Sequence, residues 1–138
     1  VLAPTPINIS SYERRVLELV NIERANNGLN PLAWHDGLAN VARAHSEDLA
    51  RNNMTGHTGS DGSSPGERIT RAGITDVSFS GENAYAGPST SEAAVIGWMN
   101  SPGHRDNILN PNHTHLGVGV AHVPGSTFGF YWTQKFGR

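Results

Sequence analysis

The chain has 138 residues, 10 Lys plus Arg, 12 Asp plus Glu, and a formal net charge of −2 with its seven His neutral. That length suits one domain with a real hydrophobic core, and so even a charge balance gives no footprint for nucleic acid or an anionic membrane. No cysteine is present, which excludes disulfide frameworks, zinc ribbons, thiol catalysis and Fe–S clusters together, and no apolar run is long enough for a transmembrane segment.

The opening Val1-Leu2-Ala3-Pro4-Thr5-Pro6 reads as part of a tether over residues 1–10, left after a signal peptide is removed, with the folded domain over 11–138. Ser10-Ser11-Tyr12-Glu13 has the spacing of a capping box. Behind it Val16, Leu19, Val20 and Glu23 keep helical spacing, predicting a helix over roughly 11–27 that Asn27-Gly28 closes. Asp36-Gly37 starts a second helix, whose stripe of Leu38, Val41, Ala42, His45 and Leu49 runs to near Asn52-Asn53. Met54 to Ser64 is polar, Gly-rich loop. Ser64-Pro65-Gly66-Glu67 is another capped start, for a short helix to about Arg71 closed by Gly73.

Phe79 to Gly87 reads as a strand. Ser89-Thr90-Ser91-Glu92 opens a helix through Ala93, Ile96 and Trp98, and Ser101-Pro102-Gly103-His104-Arg105 opens a short one that Pro111 breaks. The period then changes. Leu116, Val118 and Val120 alternate with Gly117, Gly119 and Ala121, predicting a strand with one close-packed face. After a turn at Pro124-Gly125-Ser126, Phe128 to Phe136 forms an aromatic final strand. Helices first and strands last indicate an α+β fold, with an antiparallel-leaning sheet covered by helices.

The sequence has no H-E-x-x-H, P-loop, dinucleotide fingerprint or G-x-S-x-G elbow. Its chemistry rests on histidines. His45, on the apolar stripe, reads as a buried ring bonded to a backbone carbonyl. His113 and His115 read as exposed loop residues, with weak metal binding as the alternative. His57 and His104 stand in Gly-flanked turns, where side chains project into clefts. His104 lies in the first turn of its helix, where the dipole disfavours imidazolium, and a neutral ring can ligate metal or act as a base. Glu82, in Gly81-Glu82-Asn83, is a carboxylate in a short apolar strand. It is either an exposed strand-end charge or an inward group that must be paired.

The ordered set of these pieces resembles the CAP superfamily, also called the SCP domain, and within it the cysteine-free bacterial branch of secreted, YkwD-like proteins. The residues that carry the likeness are Asn21-Ile22-Glu23-Arg24, Leu29-Asn30-Pro31-Leu32, Ala44-His45-Ser46, Gly56-His57-Thr58-Gly59 and Gly81-Glu82-Asn83. The strongest are Trp98-Met99-Asn100-Ser101-Pro102-Gly103-His104-Arg105-Asp106-Asn107-Ile108-Leu109 and the closing Tyr131-Trp132-Thr133-Gln134-Lys135-Phe136-Gly137. The resemblance implies a three-layer α-β-α sandwich with a central, mostly antiparallel sheet. It also implies a surface cavity lined by two His and two acidic residues, carried over here as His57, His104 and Glu82. Ser101 occupies the place of the second acid, with Glu67 and Asp106 as nearby candidates to replace it.

Two imidazoles and one carboxylate match a His₂Glu zinc site with an open position. The leading expectation is therefore a secreted, extracellular or cell-envelope domain whose His57/Glu82/His104 cavity binds zinc or another divalent metal, a small ligand, or an extracellular protein or envelope component. In it Ser101 caps the helix bearing His104, and Asn83 and Gln134 act as outer donors behind the metal ligands. One rival is a metal-assisted hydrolase of peptide or envelope polymer with Glu82 as the catalytic general base. The other is a partner-binding scaffold in which the His/Glu cluster is purely structural.

Overall fold

The computed structural model describes residues 8–138, so most of the expected tether, residues 1–7, lies outside the described residues. Helix α1 (Ile9–Asn26) is capped by Asn8, whose side chain accepts from the Ser11 N–H at 3.1 Å. Ser10 is already helical, and Glu13 does not close a capping box; it is drawn into the interior. Strand β1 (Ala33–Trp34) leads into α2 (Asp36–Arg51). His35 caps α2, its Nδ1 accepting from the Leu38 N–H at 3.0 Å, and the whole Leu38–Leu49 stripe is buried. Helix α3 (Pro65–Arg71) has the full reciprocal box between Ser64 and Glu67.

Strand β2 (Phe79–Ala86) is followed by α4 (Ser91–Met99), capped by Thr90, and α5 (Pro102–Ile108). Strands β3 (His115–His122) and β4 (Phe130–Gly137) complete the sheet, whose order is β1-β3-β4-β2. Only β1 and β3 run parallel; β3–β4 and β4–β2 are antiparallel. No helix among the described residues is long and apolar enough to cross a membrane.

Helices cover both faces, giving the α-β-α sandwich. On one face α2 lies against β3 with almost nothing between them. A Cβ built on Gly117 would overlap the Ala39 backbone, and one on Gly119 the Arg43 backbone. The alternating glycines of β3 are thus the surface on which α2 rests. On the other face α1, α4 and α5 enclose Val16, Val20, Trp98, Ile108, Leu116, Val118, Val120 and Trp132.

The β2–β4 register places Glu82 opposite Lys135 and Asn83 opposite Gln134. Because side chains alternate along a strand, the first pair points to the α2–α3 side and the second to the α5 side. The sheet register thereby fixes the surroundings of every candidate residue on β2.

Candidate functional site

Glu82 points inward, its side chain 2% exposed. Its Oε1 lies 2.7 Å from Lys135 Nζ and 3.2 Å from Arg68 Nη2, and its Oε2 lies 2.7 Å from His57 Nδ1. Burial pushes the carboxyl up, but the His57 hydrogen bond and the Lys135 charge outweigh it and hold Glu82 down at about 2. Lys135 has no exposed surface; it also donates to the Pro65 carbonyl at 3.0 Å and lies 5.0 Å from the Phe79 ring centre. Burial lowers the Lys135 ammonium and Glu82 works against that shift. Arg68 donates to the Ser63 carbonyl at 2.8 Å and the His57 carbonyl at 2.9 Å, binding the loop before α3 to the same carboxylate.

His45 behaves as its sequence position suggests: buried, with Nε2 2.9 Å from the Gly56 carbonyl. Burial lowers its pKa, so the neutral ring donates to that carbonyl. This bond fixes the turn that presents His57, whose ring is half exposed.

His104 stands on α5 across the outer edge of β2. Its Nδ1 lies 2.8 Å from Ser101 Oγ. Ser101 occupies the cap position, yet its hydroxyl makes no cap bond to the backbone; the expected cap is spent on the imidazole. Burial, with a smaller contribution from the neighbouring His57, lowers the His104 pKa. Its place in the first turn of α5 disfavours imidazolium as well. Asn83 donates to the His104 carbonyl at 3.1 Å and to Gln134 Oε1 at 2.9 Å, and accepts from Asn107 at 2.9 Å. Asn83, held by Gln134, therefore ties α5 to the sheet through the His104 carbonyl and the Asn107 side chain, and neither residue reaches an imidazole ring by a hydrogen bond.

These positions overturn the zinc expectation. Among the described residues no group of three or more His, Cys, Asp or Glu is placed to hold a metal ion. His57 meets Glu82, but His104 turns to Ser101, and Glu67 is engaged in the α3 capping box. Two cations already face Glu82, which is the wrong field for a third. The His/Glu-lined cavity expected for a metal or small ligand is likewise not formed. An open hollow of about 340 Å³ does have His57 and His104 on its wall, with Leu49, Tyr85, Phe128 and Tyr131, but Glu82 does not line it.

His113 also departs from expectation. It is buried, not an exposed loop residue, stacked 4.6 Å from Phe136, with Nδ1 2.6 Å from Ser80 Oγ. Burial, then the charges of Arg24 and Arg138, push it down to about 4.

Sequence reasoning missed Lys135, Arg68 and a second buried carboxylate. Glu13 is held by Arg43 at 2.7 and 2.9 Å and accepts from the Val120 N–H at 3.0 Å. The available signal was a lysine between Gln134 and Phe136 in an otherwise buried strand; a charge in such a place demands a counter-charge.

The model of the CAP family, described as the cysteine-rich secretory protein family, matches residues 17–136. The chain is 43% identical over 131 residues to a Bacillus subtilis protein, "Uncharacterized protein YkwD", covering 95% of this chain and 49% of that one. A crystal structure of an extracellular protein containing a SCP domain from Bacillus anthracis superposes with a TM-score of 0.83 at 35% identity, over 100% of this chain and 45% of that one. An outer surface protein from Borrelia burgdorferi shares the fold, with a TM-score of 0.83 at 22% identity over 99% of this chain and 98% of that one. The chain spans about half the length of the two Bacillus relatives.

Proposed function

Because the chain belongs to the CAP family, we propose that it is a non-catalytic recognition domain, working outside the cell or at its envelope, in which the Glu82 cluster is an internal clamp. The observation that carries this reading is the engagement of both Glu82 oxygens. One faces Lys135 and Arg68, the other His57. A general base needs a pKa near the working pH and reach to a substrate proton. Glu82 is held at about 2, is buried, and does not line the hollow beside it. An ion cluster of this kind fixes geometry: it joins α3, β2, β4 and the His57 loop at one point. The similar Bacillus anthracis protein is described as extracellular, which supports the location. Partners are then extracellular proteins or envelope components met by the surface of the domain.

Glu82→Gln separates clamp from catalyst. It keeps the shape and removes the charge that compensates Lys135, so the melting temperature falls by about 10 °C, about 3 kcal/mol. The unaltered chain releases no fragments from casein or from purified peptidoglycan. Fragment release that Glu82→Gln abolishes at an unchanged melting temperature would overturn the reading.

A further inference from the structure

The two edges of the sheet are finished differently. Beyond β1, the outer edge of β3 is sealed: Val118 and Val120 are buried, and the Val120 N–H is taken by Glu13. The opposite edge is β2, which pairs only with β4. In an antiparallel ladder alternate residues turn their backbone groups to one side. The Glu82 and Ala84 carbonyls face away from β4, since they accept from Asn107 and Trp98 side chains, whereas the Gly87 N–H bonds the Phe130 carbonyl. The same alternation turns the Ala84 N–H and both backbone groups of Ala86 outward, where no partner meets them among the described residues. Ala84 and Ala86 are only half-buried and Tyr85 is 41% exposed.

A hollow lies on each side of this open stretch. The one of about 340 Å³ lies toward α2, with Leu49, His57 and Tyr131 on its wall and Ala84 and Ala86 on its floor. A second, of about 220 Å³, lies toward α4 and α5 between Tyr85, Gly97, Trp98, Ser101 and His104. Tyr85 and His104 border both.

We propose that the Ala84–Ala86 edge of β2 is a strand-addition site for an extended polypeptide segment of a partner, with uncharged side chains alternating into the two hollows. Unpaired strand groups take another backbone as their natural complement. Successive side chains of an added strand point to opposite faces, which is where the hollows lie. Neither is lined by Lys, Arg, Asp or Glu, and burial holds His104 toward its neutral form. A charged side chain there would lose its hydration without gaining a partner. The inference deepens the recognition reading and rests on it.

The test selects linear decapeptides from a phage-displayed random library on the 138-residue chain and measures each synthetic peptide by calorimetry. Ala86→Pro removes one outward N–H at a position where an edge strand tolerates proline. It weakens the selected peptide at least tenfold while the melting temperature holds. Methylating the paired backbone nitrogen of the peptide does the same on the unaltered chain, which keeps the test valid if Ala86→Pro fails to fold. Binding that ignores both changes would overturn strand addition while leaving the recognition reading standing. Enrichment of no peptide, or a dimer in sedimentation that Ala86→Pro dissolves, would also overturn it, the latter by assigning the edge to a second copy. Peptide cleavage instead of binding would sink the recognition reading itself.

Discussion

The two faces of the sheet are closed by opposite means. Toward α1, α4 and α5 the gap is filled by volume: Trp98, Trp132, Val118, Val120 and Ile108 interlock. Toward α2 it is closed by removing volume, since Gly117 and Gly119 let the helix backbone rest on the strand. One charge cluster, Glu82, Lys135 and Arg68, lies on the glycine side, with Lys135 opposite Gly117 in the sheet, where backbone carbonyls and a cross-strand ion pair satisfy it. A face packed by volume tolerates small adjustments of its side chains. A face packed by backbone contact tolerates none, because neither partner has a rotamer to change.

Four experiments press on that contrast. Gly119→Val has the largest effect: its branched side chain meets Arg43 and Ala42 backbone atoms, so the loss exceeds about 4 kcal/mol and little folded protein is recovered. A Gly119→Val protein with ordinary yield and melting temperature would refute the close contact. Lys135→Met comes next. It takes the nearest cation from Glu82, leaving Arg68 and His57, and costs about 3 kcal/mol, whereas Glu82→Leu with Lys135→Met removes both charges and restores part of the loss, Arg68 losing its carboxylate. Denaturant titration of the single and double variants decides it; additive losses would mean that the pair is not coupled. On the other face Val118→Ala deletes about two methylene equivalents from a fully buried site. It costs only about 2 kcal/mol, since neighbouring side chains relax.

The fourth test is the pH dependence of stability, which rests on two buried groups. His113 is lowered to about 4 from an ordinary value of about 6.5. The unfolded state therefore binds its proton first, and stability drops as pH falls from about 6.5 to about 4. Glu82 is lowered to about 2 from an ordinary value of about 4.3. Its contribution is complete above about 4.3 and is lost between there and about 2. Melting temperature against pH shows two descending steps, and His113→Phe reduces the upper one only, the remainder coming from the other rings that burial lowers, His45 and His104. A wild-type profile level from pH 6.5 to 4 would contradict the neutral, buried state of His113.

Much of the fold is legible in single stretches of sequence. The Leu38–Leu49 stripe, the Ser64–Glu67 box and the Gly-alternating strand all carry local signals, and each forms where its pattern places it. Ser10–Glu13 shows the limit. Its spacing is that of a capping box, but Asn8 is closer to the chain entry, and Glu13 gains more from Arg43 and the open Val120 N–H than from a cap. His57 and Glu82 do meet. That a lysine and an arginine reach the carboxylate as well depends on the β2–β4 register, which brings Glu82 and Lys135 together from distant parts of the chain.

The order of the five helices and three long strands, the glycine face of β3 and the family could be read from the residues alone, because they rest on local periodicity and on an ordered set of motifs. What the motif residues do could not. Whether a buried carboxylate meets a metal, a proton or an ammonium is set by which side chains the sheet register and helix packing bring within about 3 Å of it. Here they bring Lys135, Arg68 and His57 to Glu82, and turn His104 away to Ser101.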